Sequence, residues 1–168
     1  MPAPPMVPPH LPVVLPTRNA LTLGGLAEWY AARRADWPVQ PRFDSERRWY
    51  ARLGGDAQHE AWLLTWLPGQ STDLHDHGGS AGAFTVLDGR LDEQLPIGRS
   101  EVRLTARGYG VGATREFGPR HVQRMVNTGP VRSITVHVYA PALTRMTRYA
   151  LTSGRLEVTA VEREGEDW

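Results

Sequence analysis

Short strand-like segments separated by glycine and proline turns are the feature that most restricts what this chain can fold into. Turn pairs such as Gly54-Gly55, Pro68-Gly69 and Asp88-Gly89 punctuate the sequence. The segments between such turns have the β-branched and aromatic composition of strands. They cover residues 48–53, 61–67, 83–87, 90–95, 101–105, 121–126, 131–139 and 155–161. Strands this short, recurring about every 8 to 12 residues, predict an antiparallel sandwich or barrel. We therefore expect a fold dominated by β-structure.

The N-terminal part of the chain has a different character. Prolines are frequent up to Pro16, and we expect an extended Pro-rich arm there. From Thr22 to Ala35 apolar residues recur at helical spacing, and Thr22 is a suitable N-cap. A second short helix is predicted from Asp44 to Arg48, with Asp44 as its cap. The predicted division is an arm at 1–18 and a single domain at 19–168, with helices at about 22–48 and a barrel at about 49–161.

Composition excludes several classes of partner and location. The chain has 168 residues, the size of one domain, and balances 19 basic against 18 acidic side chains. Balanced charge argues against nucleic acid or an anionic membrane as the main partner. We find no targeting signal and no apolar stretch of the roughly 20 residues that a membrane span needs. We expect a cytoplasmic protein that is a monomer or a weak homo-oligomer.

The absence of two residue types limits the chemistry. The sequence contains no cysteine, and arginine supplies all of its basic residues, so lysine is absent too. Disulfides, thiolate nucleophiles, iron–sulfur clusters and cysteine-bound zinc are excluded, as is Schiff-base chemistry on lysine. Any metal ion must be held by histidine, aspartate or glutamate.

Two of the six histidines have the spacing of a metal-binding pair. His75 and His77 are two residues apart, so on a strand both side chains lie on one face and can bind the same ion. His121 begins a predicted strand and is the best candidate for a third ligand. His10 in the Pro-rich arm and His59 in a polar turn are interpreted as unrelated. Taken alone, a His-x-His pair is as often an ordinary surface pair as a metal site.

The spacing around this pair resembles the first signature of the cupin superfamily, whose fold is a double-stranded β-helix or jelly-roll barrel. Gly69 is followed by five residues, then His75-Asp76-His77, and Gly89 comes after the next strand. Cupins usually add a glutamate four or five residues after the second histidine, but Ala81 and Gly82 stand there. A site of three neutral histidines leaves Fe(II) with its full positive charge, which suits an anionic thiolate and a second donor atom.

Within the cupins, residues 48–141 resemble the thiol dioxygenases, and the cysteine dioxygenase family in particular. The resemblance implies that His75, His77 and His121 hold Fe(II). Tyr50-Ala51-Arg52 resembles a Tyr-x-Arg segment whose arginine pairs with the substrate carboxylate, and this arginine goes with cysteine as substrate. The position of Arg52 in an apolar segment favours burial.

A third block of the sequence, residues 135–141, resembles the Ser-x-His-x-Tyr-x-Pro segment of the same family. It implies a relay of Thr135, His137 and Tyr139 beside the metal, and a cis peptide bond before Pro141. On a strand these three polar side chains share one face and Ile134, Val136 and Val138 share the other, and the pattern alone does not decide which face is buried.

Three positions depart from the family pattern. Gly82 stands where mammalian members carry a cysteine crosslinked to the tyrosine, so Tyr139 is expected to be unmodified. Thr135 replaces the serine and keeps the hydroxyl. The second cupin motif has asparagine four residues after its histidine, but counting from His121 that position is Met125, and Asn127 comes later.

The resemblance implies an Fe(II) thiol dioxygenase that uses O2 to oxidise L-cysteine to cysteine sulfinic acid. Arg52, helped by Tyr50, would bind the substrate carboxylate, and Tyr139, oriented by His137, would act on the reacting oxygen atoms. Three alternatives stay open: a dioxygenase for another small thiol, an oxidase that gives another cysteine-derived product, and a non-catalytic metal-binding cupin that serves as a sensor.

Overall fold

The computed structural model describes residues 22–164, and its first element is helix α1, Leu23–Ala32. The hydroxyl of Thr22 accepts a hydrogen bond from the Gly25 N–H at 3.0 Å, which confirms the predicted N-cap. The helix ends before Ala35, and a single 3-10 turn follows at Arg34–Asp36. The predicted Pro-rich arm lies outside the described residues.

The second predicted helix, from Asp44 to Arg48, is wrong. No helix forms there, although the Asp44 carboxylate accepts the hydrogen bonds expected of a cap, from the backbone N–H groups of Glu46 at 2.8 Å and Arg47 at 3.3 Å. The capped turn is not continued into a helix. The chain then runs straight into the first strand.

Eleven strands form the rest of the described chain. They are β1 Tyr50–Gly55, β2 Glu60–Trp66, β3 Leu74–His75, β4 Ala81–Asp88, β5 Arg90–Ile97, β6 Arg103–Gly110, β7 Thr114–Phe117, β8 Arg124–Val126, β9 Ser133–Ala140, β10 Arg145–Thr152 and β11 Arg155–Arg163. All the pairings are antiparallel. One sheet has the order β1-β2-β9-β4-β7, a second β11-β10-β3 and a third β6-β5-β8. The prediction of a fold dominated by β-structure is confirmed.

Strand β9 is the centre of the five-stranded sheet, and every one of its residues is buried. Helix α1 covers one face, where Ile134, Val136 and Val138 join its apolar side chains in a core cluster. The other face carries Thr135, His137 and Tyr139 toward the remaining sheets. Both faces are thus interior, which answers the question that the alternating pattern left open.

Two further features of the fold bear on the predictions. The Ala140-Pro141 peptide bond is cis, as the sequence resemblance implied. Among residues 22–164 no helix is long and apolar enough to cross a membrane.

Candidate active site

A cavity opens between the inner face of the five-stranded sheet and the strands opposite. Its empty space is about 550 Å³ when the open solvent at its mouth is counted. Its wall is largely aromatic and apolar, with a few polar groups that converge on one region. The lining residues are Arg48, Tyr50, Trp62, Leu64, Trp66, Thr72, His75, Gln123, Met125, His137, Tyr139, Leu143, Met146 and Arg148.

His75 and His77 form a buried pair at this cavity. Their rings lie edge to face with centroids 5.0 Å apart. The Nδ1–H of His75 donates to the Asp73 carbonyl at 2.8 Å, which leaves Nε2 of His75 unprotonated. Neither ring nitrogen of His77 has a hydrogen-bond partner within the described residues, although the side chain is 1% exposed. A metal ion would satisfy both the unpaired ring of His77 and the free Nε2 of His75.

Burial keeps both of these imidazoles neutral. Loss of solvation lowers the pKa of His75 to about 4 and holds the pKa of His77 well below its ordinary value. Histidine must be deprotonated to bind a metal ion, so both side chains are in the binding form at neutral pH. The pair therefore fits a divalent cation.

His121 has a different set of partners. Its Nε2–H donates to the Glu93 carboxylate at 2.7 Å, and its ring stacks on Phe117 at 4.7 Å between centroids. Glu93 is fully buried and also accepts hydrogen bonds from Tyr109 and Arg115. Burial alone would raise the pKa of Glu93, but His121 and Arg115 lower it, so the group is a carboxylate.

The structure does not assemble the three predicted histidines into one ligand set. Within residues 22–164, no three His, Cys, Asp or Glu side chains are placed so that they could hold one metal ion. His75 and His77 lie together, whereas His121 is engaged by Glu93. The role of His121 as third ligand stays a prediction.

A chain of hydrogen bonds runs along β9. The indole N–H of Trp66 donates to the Thr135 hydroxyl at 2.9 Å, and that hydroxyl is hydrogen-bonded to Nε2 of His137 at 3.0 Å. Nδ1 of His137 faces the Tyr139 oxygen at 3.4 Å. Because a hydroxyl can accept two hydrogen bonds as well as donate one, the tautomer of His137 decides whether Tyr139 accepts from the imidazole or donates to it.

Burial fixes the protonation states along this chain. It lowers the pKa of His137 to about 3 and raises the pKa of Tyr139, so imidazole and phenol are both neutral. The predicted neighbours Thr135, His137 and Tyr139 are thus brought together. Trp66 is the member that sequence analysis missed, because one tryptophan in an apolar strand gives no sign that its N–H faces a threonine.

Arg52 is not where the sequence suggested. Its side chain is exposed and does not line the cavity, so the expectation that it is buried is wrong. Strand β1 is the edge of its sheet, and its register shifts immediately after Arg52, opposite Trp62. Arg52 does not line the cavity, whereas Tyr50 does, and the role of Tyr50 in substrate binding stays a prediction.

Arg48 is the arginine that faces the cavity. Its guanidinium lies over the rings of Trp66, at 4.9 Å, and Tyr50, at 5.5 Å. No carboxylate among the described residues forms an ion pair with it, and burial lowers its pKa. The positive charge of Arg48 therefore has no anionic partner among the described side chains. Spacing alone could not have singled out Arg48, because Arg52 lies equally far from Tyr50 on the other side.

Arg148, the second arginine at the cavity, is already neutralised. Its guanidinium forms a two-pronged pair with the Glu162 carboxylate at 2.7 and 2.8 Å, and Asp73 lies 3.7 Å away. An anionic ligand in this cavity would therefore be directed toward Arg48.

Comparison with known proteins places this chain in a family. A family model described as cysteine dioxygenase type I matches residues 18–152. Cysteine dioxygenase type 1 from Bos taurus is 26% identical over 136 residues, which cover 73% of this chain and 66% of that protein. The Danio rerio protein of the same name gives the same identity and coverage. The chain thus spans just under two thirds of the length of these curated relatives.

A solved structure supports the fold. An uncharacterised conserved protein with a double-stranded β-helix domain from Klebsiella pneumoniae aligns with a TM-score of 0.51 at 18% identity. The alignment covers 71% of this chain and 90% of that one. The fold is therefore the predicted cupin barrel. Because the family model matches most of its length, this chain belongs to the cysteine dioxygenase type I family.

Proposed function

We propose that this chain is an Fe(II)-dependent thiol dioxygenase that oxidises L-cysteine to cysteine sulfinic acid with O2. The observation that carries the proposal is one cavity lined by an arginine without an anionic partner and by His75, which forms a neutral, buried pair with His77. Family membership supports the same chemistry. Cysteine has a thiolate for a metal and a carboxylate for the arginine, so it matches both features.

The residues that would hold the iron are His75 and His77, with a third ligand from residues 121–123, where sequence analysis favoured His121. His75 and His77 are neutral, so the ion would keep its charge for an anionic sulfur ligand. When bound, the iron supplies a centre at which the thiol sulfur and O2 react.

Arg48 would take the role that the sequence assigned to Arg52 and bind the substrate carboxylate. A guanidinium offers paired N–H donors that match a carboxylate, and the aromatic rings of Tyr50 and Trp66 already fix its plane. Held at that end, the substrate would extend its sulfur toward the histidine pair. Tyr50 would limit how the substrate turns.

Tyr139 would donate a hydrogen bond to the reacting oxygen atoms in the tautomer of His137 that places the proton on Nδ1, beside the Tyr139 oxygen. The Trp66–Thr135–His137 chain would keep the phenol in that orientation. Thr135 and His137 are positioning residues in this scheme.

The overall reaction balances without a further reductant. Both atoms of O2 join the sulfur, the thiol proton ends on the sulfinic acid, and the electrons that reduce O2 come from the sulfur. The residues in the cavity need only bind the substrate, orient it and stabilise polar oxygen.

A substrate panel tests this proposal. O2 uptake by the Fe(II)-loaded protein would be compared for L-cysteine, cysteamine, which lacks the carboxylate, and 3-mercaptopropionate, which lacks the amine. We expect the highest kcat/KM for L-cysteine and the largest loss for cysteamine. Uptake with another thiol only would contradict cysteine as substrate, and no uptake with any thiol would contradict the dioxygenase.

A further inference from the structure

Residues 121–123, which would supply the third ligand, run antiparallel to the chain segment that carries His75. The N–H of His75 donates to the Gln123 carbonyl at 2.9 Å, and the N–H of Gln123 donates to the His75 carbonyl at 3.0 Å. Residues that exchange both hydrogen bonds are directly opposite, and their side chains are neighbours on one face. Gln123 is therefore the cross-strand neighbour of His75.

The side chain of Gln123 is buried without a partner. It is 0% exposed and lines the cavity beside His75, and neither its amide oxygen nor its amide nitrogen has a hydrogen-bond partner in the described chain. Leaving a buried amide unpaired is unfavourable, because the group loses its hydrogen bonds to water and gains none in the protein. A group in this condition, aimed into a cavity, points to a ligand that completes it.

The Nε2–H of His121 donates to the Glu93 carboxylate, and the imidazole ring stacks on Phe117. The ring of His77 stacks on the same phenyl group at 4.9 Å, so Phe117 is the shared neighbour of the two imidazoles. Phe117 fits there because residue 82 is glycine: a Cβ on Gly82 would lie 2.5 Å from its ring.

We infer that the third protein ligand of the iron site is the amide oxygen of Gln123 and not the imidazole of His121. The inference rests on the proposed function and changes its ligand set to two imidazoles and one amide. Glutamine is neutral, so the charge available to the thiolate is unchanged. An amide oxygen is a weaker ligand than imidazole for this class of metal ion, so the wild-type site is expected to bind less tightly than a three-histidine site.

Metal binding without turnover tests the inference. Metal-free protein would be titrated with Co(II) by calorimetry, and the visible spectrum of bound Co(II) recorded for each variant. Gln123→Leu is expected to weaken binding by at least about tenfold. His121→Gln, which can still donate to Glu93, is expected to stay within about threefold of wild type. Gln123→His is expected to tighten binding and to change the spectrum as an oxygen ligand is replaced by nitrogen.

Thermal melts of the metal-free variants show whether weaker binding comes from loss of a ligand or from unfolding. The tighter Co(II) binding expected of Gln123→His cannot result from a destabilised protein. Weakened binding in His121→Gln, or unchanged binding in Gln123→Leu, would overturn the inference while leaving the proposed function standing. A wild-type protein that binds no Co(II), or a His75→Ala variant that binds it as well as wild type does, would overturn the proposed function and the inference with it.

Discussion

Tyr139 is positioned by the hydrogen-bonded residues behind it. Its oxygen faces Nδ1 of a neutral imidazole, the other nitrogen of that imidazole is hydrogen-bonded to Thr135, and Thr135 accepts from the indole of Trp66. These groups hold the phenol in place, and the two that titrate, His137 and Tyr139, are neutral near pH 7.

Replacing Tyr139 by phenylalanine is expected to lower kcat on the order of 100-fold, the typical cost of one lost donor to developing charge. The iron content should not change, because the phenol is not proposed as a ligand. Iron would be measured by elemental analysis and kcat by O2 uptake. Tyr30→Phe is the matched control, since Tyr30 is also buried but lies on helix α1, in the core cluster with Ile134, Val136 and Val138. Equal turnover in the two variants would contradict the role of Tyr139.

The two arginines give a paired test of carboxylate binding. Arg48→Gln is expected to raise KM for L-cysteine by at least about tenfold, since it removes a hydrogen bond to a charged group worth about 1.5–3 kcal/mol. Arg52→Gln should leave KM unchanged, because Arg52 is exposed and away from the cavity. Steady-state kinetics on both variants would decide. The reverse pattern would restore Arg52 as the substrate-binding residue.

Buried neutral histidines make the metal-free protein sensitive to acid. Burial depresses the pKa of His75 to about 4 and of His137 to about 3 in the folded state, whereas unfolded histidine titrates near 6.5. The unfolded chain therefore takes up more protons as the pH falls below about 6.5, and stability is lost from there downward.

Urea unfolding between pH 8 and pH 5 measures this effect. The free energy of unfolding should be flat at the upper end and fall below about pH 6.5 by up to about 1.4 kcal/mol per pH unit for each such histidine. His137→Gln should reduce the slope of the unfolding free energy against pH by the contribution of one histidine, up to about 1.4 kcal/mol per pH unit. An unchanged slope in this variant would contradict the depressed pKa of His137.

At the scale of elements, strand β9 carries most of the predictable information. Its alternation of apolar and polar residues was legible in the sequence, as was the grouping of Thr135, His137 and Tyr139. The sequence did not show that both faces are buried, because that depends on helix α1 packing against one side and the cavity lying on the other.

Other elements were harder to predict for definite physical reasons. Strand β3 has two residues and β7 has four, too few for a periodic pattern, and β10 lacks clean alternation. The positions of Arg48 and Arg52 depend on an edge strand and a register shift, and the pairing of His75 with Gln123 depends on a long-range contact. None of these is encoded in local composition.

The contact between β4 and β7 gives a prediction at this scale. Gly82→Ala is expected to destabilise the protein by about 1–3 kcal/mol, the usual cost of overpacking, because its Cβ would meet the ring of Phe117 and the Val138 carbonyl. Gly110→Ala is the control, since a Cβ there has nothing within 4 Å. Chemical denaturation of both variants would test this, and equal stability would show that Phe117 moves aside freely.

At the scale of the molecule, the barrel brings distant segments to one cavity. Arg48 precedes the first strand, His75 and His77 follow the second, and Tyr139 lies on the ninth. The turn signals and the histidine spacing predicted a cupin barrel correctly, and the match to the cysteine dioxygenase type I family agrees. The wall of the cavity, with its unpaired arginine and amide, emerges only when the sheets are packed.

The proposed reaction transfers both atoms of O2 to the sulfur of cysteine. It is tested by measuring the mass of the product after the Fe(II)-loaded protein reacts with L-cysteine under heavy-isotope oxygen gas. We expect a sulfinic acid that carries two heavy oxygen atoms. Consumption of O2 with a product that carries one heavy atom or none, or no consumption by protein with its iron bound, would contradict it.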